Sequence, residues 1–155
     1  MKASDDMQPE FMVAREVFTE AIQFFEKVDA HSKKLFFLAE PDLKQYLDDW
    51  KKKPEDIEAQ SRLWAILREL FRRTHQIFLH TAQIINAYLV SKSRNKKIAL
   101  QIKSGEGQSV LQAYLMAVEA LCTGRKQFNV SDSVLAAEQN AKRFAPFFEK
   151  VGLTC

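Results

Sequence analysis

Glycine and proline are scarce in this sequence, with four of each among 155 residues. All-β folds draw on both residue types for their frequent turns, so this scarcity disfavours them and favours helices joined by short connections. The length suits one domain with one hydrophobic core. We therefore expect residues 1–155 to form a single all-α domain in which residues 1–8 are disordered.

The sequence also lacks the features of a secreted or membrane-spanning protein. Its two cysteines, Cys122 and Cys155, can supply neither a disulfide framework nor a zinc-binding spacing. No run of 18 apolar residues is present, and no apolar stretch follows the first methionine as in a signal peptide. These absences predict a cytoplasmic protein that has no membrane partner.

Signatures of catalysis and of cofactor binding are missing as well. The sequence contains no complete catalytic constellation, no phosphate-binding loop and no cluster of metal ligands. The favoured expectation is therefore a non-enzymatic protein that holds no cofactor and no metal ion.

The sequence does have a helical repeat of apolar residues along most of its length. Proline followed by an acidic residue marks helix starts at Pro9, Pro41 and Pro54, because proline suits the first helical position and an acid favours the positive end of the helix dipole. We expect an antiparallel bundle of four main helices, two long and two shorter, plus one or two short helices. The predicted helices span residues 9–39, 41–52, 54–93, 108–123 and 132–151.

The longest uninterrupted repeat runs from Pro54 to Ser93. This stretch contains no glycine and no internal proline, and its apolar residues recur at spacings of three and four. The pattern predicts one continuous helix, which is longer than a compact domain of this size needs. Its apolar flanks then require covering, which favours a homodimer or a larger complex.

Two arginine–histidine pairs lie in this stretch at a spacing of seven residues. Arg68 precedes His75 and Arg73 precedes His80, so each pair shares one side of a continuous helix. The spacing resembles the Arg-x6-His motif of the HEPN ribonucleases, small helical proteins that dimerise to cleave RNA. The resemblance implies that the arginines hold the scissile phosphate and that the histidines transfer protons. Alternatively, all four side chains border the apolar stripe and have no chemical role.

A basic stretch lies at the end of the same repeat. Its cations can bind phosphates or nucleic acid through counterion release, or they can complement the negative end of the helix dipole. Aromatic residues that stack on bases are absent from the stretch, so nucleic acid is the less favoured partner. The cations are Lys92, Arg94, Lys96, Lys97 and Lys103.

Phenylalanine occurs twelve times, which is enough for both a core and a contact surface. Phe37 and Phe147 fall furthest from the apolar stripes of their helices and therefore predict a second surface. Together with Trp64 and Phe71, they are the predicted partner-binding residues.

The whole sequence then favours a non-enzymatic module that binds another protein, or a second copy of itself, through helix faces. The alternative is a HEPN-like protein that cleaves or binds RNA.

Overall fold

The computed structural model describes residues 8–51, 55–93 and 107–154, with side chains from residue 15 onwards. These residues form six α-helices and no strand, which confirms the predicted all-α bundle. None of these described helices is long and apolar enough to cross a bilayer. The helices are α1 (Gln8–Leu35), α2 (Glu40–Trp50), α3 (Ile57–His75), α4 (Thr81–Lys92), α5 (Gln108–Thr123) and α6 (Val134–Lys150).

Helix α3 is the centre of the bundle and packs against α1, α2, α5 and α6. Every residue from Leu63 to Phe71 is buried, so this part of the helix is enclosed on all sides. The Trp64 ring contacts Phe24 of α1 and Tyr114 of α5, with ring centroids 5.0 and 5.8 Å apart. The Tyr114 hydroxyl donates to the Trp64 carbonyl oxygen at 2.7 Å, which gives this buried hydroxyl its partner. The core therefore lies around α3.

The prediction of one continuous helix over residues 54–93 is wrong, because the chain breaks between α3 and α4. Gln76 adopts left-handed backbone angles (φ 56°, ψ 28°), and its N–H closes α3 by donating to the Arg72 carbonyl oxygen at 2.8 Å. His80 then caps α4, and its backbone N–H donates to Gln83 Oε1 at 2.9 Å within a capping box. The apolar repeat continues across the break, so periodicity does not reveal it.

The other helix boundaries lie close to those predicted. α1 ends at Leu35, four residues earlier than expected, and α5 has the predicted bounds. α6 lies within the predicted range 132–151 and continues through Pro146, where proline removes a helical hydrogen bond. Of the residues expected to be disordered, Gln8 begins α1, and residues 1–7 lie outside the described part of the chain.

Candidate functional site

The buried side chain of Arg68 contacts three parts of the bundle. Its side chain is 2% exposed and forms an ion pair with Asp29 of α1, with Nη1 3.1 Å from Oδ1. Its Nε and Nη2 donate to the Leu79 carbonyl oxygen at 3.0 and 2.7 Å. The Phe78 ring covers the guanidinium, with the ring centroid 4.1 Å from Cζ. The guanidinium therefore holds together α1, α3 and the segment between α3 and α4.

Glu69 and Arg73 connect α3 to the end of α1. Buried Glu69 Oε1 accepts hydrogen bonds from Arg72 Nη2 and Arg73 Nε, both at 2.7 Å. Arg73 Nη2 also donates to the carbonyl oxygens of Leu35 and Leu38, at 3.3 and 2.7 Å. These carbonyls lie at and just beyond the last turn of α1, where helical partners are missing. Arg73 therefore caps the carboxyl end of α1.

The two histidines have other partners. The His75 ring packs against Phe71 and Phe144, with ring centroids 4.8 and 5.4 Å away. Burial, and to a smaller extent the charge of Arg143, lower the pKa of His75. His80 serves as the N-cap of α4. In the described part of the chain, neither Arg68 nor Arg73 forms a hydrogen bond or an ion pair with the histidine of its own pair.

The structure places three of the four predicted partner-binding residues in the core. Trp64, Phe71 and Phe147 are buried, and only Phe37 is exposed, at 87%. The expectation that Phe147 lies off the buried stripe of its helix is thus wrong. Its ring packs against Phe71 of α3, with centroids 4.8 Å apart, because the carboxyl-terminal half of α6 turns toward α3. Whether Phe37 binds a partner remains a prediction.

Most of the predicted basic cluster lies outside the described residues. Lys92 is exposed near the end of α4, and its Nζ lies 5.3 Å from the centroid of the Tyr88 ring. This contact covers a core aromatic ring with a cation, which is a structural use of the side chain. The remaining four cations, Arg94, Lys96, Lys97 and Lys103, fall in the range 94–106, which is not described.

An open groove lies between α5, α6 and the segment that joins them, and we refer to it as the α5–α6 groove. Its volume is about 710 Å³. Small and apolar side chains from both helices form much of its walls, and the connecting segment adds polar and basic side chains such as Arg125, Lys126 and Asn129. Residues that line it include Ala113, Met116, Ala120, Ala137, Ala141, Phe144 and Phe148.

Large apolar side chains are exposed along the connecting segment and the first turn of α6. Phe128 is 84% and Val130 is 91% exposed, and Val134 and Leu135 are also exposed. The sequence predicts Val134 as part of the buried stripe of the last helix, and this is wrong for that turn. The predicted helices leave residues 124–131 as a connection, and the alternation of apolar and polar residues from Gln127 to Val130 has no part in that prediction. That alternation is the signal that would have drawn attention to the segment.

Gly107, just before α5, packs closely against the side chain of Gln83. Gly107 is the N-cap of α5 with left-handed φ (81°), and a Cβ there would lie 2.7 Å from Gln83 Nε2. Against the phosphate-loop pattern G-x-x-x-x-G-K-[ST], the sequence keeps Gly107 and Ser109 but has Ile102 and Gln108 at the other two fixed positions. The missing lysine is the one that reaches the phosphates in such loops, so these residues do not fit a phosphate-binding loop.

Comparisons with known proteins show a relationship that no short motif revealed. A family model described as the SecA DEAD-like domain matches residues 10–155. A curated relative, "Protein translocase subunit SecA 2" from Streptococcus gordonii, is 25% identical over 132 residues, which cover 83% of this chain. Those residues cover only 16% of the relative, so the chain spans about a sixth of that protein.

These matches correct both functions that the sequence predicts. The interpretation as a generic non-enzymatic interaction module is wrong, and so is the HEPN-like interpretation, because the match extends over almost the whole chain. The roles of Arg68, Arg73, His75 and His80 in packing and capping agree with this correction. With residues 10–155 matched by its family model, the chain belongs to the SecA DEAD-like domain family.

Proposed function

We propose that this chain takes part in protein translocation as a helical portion of a SecA-type translocase. The observation that carries the proposal is the family match over residues 10–155, supported by a relative named as a protein translocase subunit. The chain covers 16% of that relative, so a translocase activity of the whole relative is part of this proposal and is not assigned to the chain by the match itself.

The geometry supports a role in contacting polypeptides. A polypeptide that is being moved exposes apolar side chains, and burying them against an apolar surface is favourable. The α5–α6 groove offers such a surface, and Phe144 and Phe148 in its wall are anchored in the core. Arg68, and Arg73 held by Glu69, connect α3 to α1. The groove therefore offers apolar surface on a bundle whose helices are joined by polar contacts.

The test is to deplete the protein from cells that encode it and to follow newly made exported proteins by pulse labelling. We expect their precursors to accumulate, and we expect the wild-type gene to restore export. Export that is unchanged after depletion would contradict the proposal.

A pair of variants tests whether the groove contributes. Ala141→Trp places a large ring in the groove, and we expect it to restore export poorly. The matched control is Ala82→Trp, because Ala82 is also an exposed helical alanine but lies in the first turn of α4. Equal rescue by both variants would show that translocation does not use the groove.

A further inference from the structure

A short segment between α3 and α4, residues 76–80, joins the first three helices to the last three, and we refer to it as the hinge. Gln76 in the hinge has left-handed backbone angles (φ 56°, ψ 28°), which residues other than glycine rarely adopt. The range 55–104 contains no glycine and no proline, so no residue type in it forces the chain out of a helix. The bend at the hinge is therefore strained at Gln76 and is not required by the local sequence.

A continuous helix is the alternative conformation of the hinge. If residues 76–80 became helical, Gln76 would leave the left-handed region and the backbone groups of the hinge would form helical hydrogen bonds. The apolar repeat also continues across the hinge in the phase of one helix. The side chains that would share a face of that helix are Leu67, Leu70, Thr74, Ile77, Thr81 and Ile84. The local sequence therefore suits a straight hinge as well as a bent one.

Arg68 stabilises the bent form of the hinge. Its Nε and Nη2 donate to the Leu79 carbonyl oxygen, and the Phe78 ring covers its guanidinium. In a continuous helix the Leu79 carbonyl oxygen would instead accept from the N–H of Gln83, four residues later. The two conformations therefore exchange the contacts of one arginine for helical hydrogen bonds.

The contacts between α1–α3 and α4–α6 can form within one chain or between two copies. Tyr114 donates to the Trp64 carbonyl oxygen at 2.7 Å, and Lys150 Nζ lies 2.8 Å from Glu40 Oε1. A straight hinge would carry α4–α6 away from α1–α3 of the same chain, because α3 and α4 would then form one rod. The core surface exposed in this way fits α4–α6 of a second copy, which has the same side chains. Only the hinge differs between the two arrangements.

We propose that the chain forms a domain-swapped dimer, in which residues 76–80 are helical and α4–α6 of each copy pack against α1–α3 of the other. The exchange costs the entropy of association and the contacts of Arg68 with the Leu79 carbonyl oxygen. It relieves the left-handed conformation of Gln76 in both hinges. High protein concentration and passage through the unfolded state therefore favour the dimer. This proposal rests on the hinge and does not depend on a role in translocation.

The test asks whether the two halves of each bundle in a dimer come from different copies. Equal amounts of unlabelled chain and chain labelled with heavy nitrogen are mixed in urea, refolded at high concentration and separated by gel filtration. A carbodiimide then couples the Glu40 carboxylate to the Lys150 amine, because these groups form an ion pair at 2.8 Å. In the dimer fraction, we expect about half of these cross-links to join a light peptide to a heavy one, as random mixing of two copies requires.

An ion pair within α1–α3 is the internal control. Lys27 Nζ lies 3.3 Å from Glu58 Oε2, and both residues belong to the part of the chain that is not exchanged. Cross-links between them should join peptides of one isotope in every fraction, as should the Glu40–Lys150 cross-links of the monomer. A dimer whose Glu40–Lys150 cross-links also join peptides of one isotope is held by surface contacts and would overturn the proposal. So would the absence of any dimer after refolding.

Two variants of Gln76 test whether the hinge controls the exchange. Gln76→Gly favours the left-handed conformation of the bent hinge, and Gln76→Ala favours the helical conformation of the straight one. Both lose the hydrogen bond from Gln76 Nε2 to the Arg73 carbonyl oxygen, so this loss cancels in the comparison. We expect the dissociation constant of the dimer to be at least about tenfold lower for Gln76→Ala, because each dimer contains two hinges. Equal dissociation constants would contradict control by the hinge and overturn the proposal.

Discussion

At the scale of single residues, Arg68 and Arg73 are catalytic candidates only in the alternative HEPN-like interpretation, and both form structural contacts in the bundle. Arg68 is the more deeply buried of the two. Breaking a buried ion pair leaves the remaining charge uncompensated and typically costs about 3–5 kcal/mol. Arg68→Ala removes both donors to the buried Leu79 carbonyl oxygen and one of the two cations that pair with Asp29, the other being Lys33 at 2.9 Å. We expect it to lower the free energy of unfolding in urea by about 2–3 kcal/mol, because the carbonyl oxygen loses its partner and Asp29 keeps one cation.

The matched control for this loss is Arg62→Ala. Arg62 is on the same helix, but it is about half exposed, and its Nε lies 3.6 Å from Glu58 Oε1. Exposed pairs contribute about 0–1 kcal/mol, so this variant should unfold almost like the wild type. Similar losses of unfolding free energy in the two variants would show that the Arg68 contacts stabilise the fold no more than an exposed ion pair does.

His75 gives the fold a dependence on pH. Burial, with the Arg143 charge as the smaller cause, lowers the pKa of this histidine below its ordinary value of 6.5. The unfolded chain therefore binds the proton more readily, and stability that is complete above about pH 6.5 falls as the pH is lowered toward the folded pKa. We expect urea midpoints to drop between pH 7.5 and 5, and we expect His75→Phe to remove most of that drop. An unchanged pH dependence in His75→Phe would contradict this assignment.

At the scale of the elements, the break between α3 and α4 depends on the left-handed Gln76. Side chains other than glycine are disfavoured there, and β-branched ones most of all. Gln76→Gly should match or exceed the wild type in stability by up to about 1 kcal/mol. Gln76→Val should lose about 1–2 kcal/mol. Thermal unfolding followed at 222 nm measures both, and a stabilising Gln76→Val would indicate that the two helices merge.

The elements also show where sequence patterns suffice and where they do not. The bounds of α5 follow from its apolar stripe and from Gly124, which ends the helix locally. The break after His75 does not follow from the pattern for two reasons. The Arg68 guanidinium that bonds the Leu79 carbonyl oxygen lies 11 residues away in the sequence, and the capping box of α4 uses histidine, which is uncommon at an N-cap. The apolar stripe of α6 is present in the sequence, yet only its carboxyl-terminal half is covered by α3. Periodicity marks a face that can be buried but does not say what buries it.

At the scale of the whole molecule, no short motif predicts the candidate site. The short motif that the sequence suggests is the Arg-x6-His spacing, and His75, His80 and both arginines lie outside the α5–α6 groove. The relationship to the SecA DEAD-like domain instead extends over residues 10–155, and the curated relative is only 25% identical. Three parts of the chain that are separate in the sequence pattern form the groove: the small residues of α5, those of α6, and the segment that connects the two helices. Only their packing brings these residues together.

The exposed apolar residues of this one region should also govern how the chain behaves in solution. Phe128, Val130, Val134 and Leu135 lie within eight consecutive residues, and exposed apolar surface of this kind promotes association. Leu135→Lys should therefore lower both the binding of a hydrophobic dye and the sedimentation coefficient at high concentration, with the melting temperature unchanged. Phe37→Lys serves as the control, because it removes an exposed apolar side chain just beyond the end of α1, away from this region. If both variants had the same effect, association would follow from total exposed apolar area, and residues 128–135 would have no special part in it.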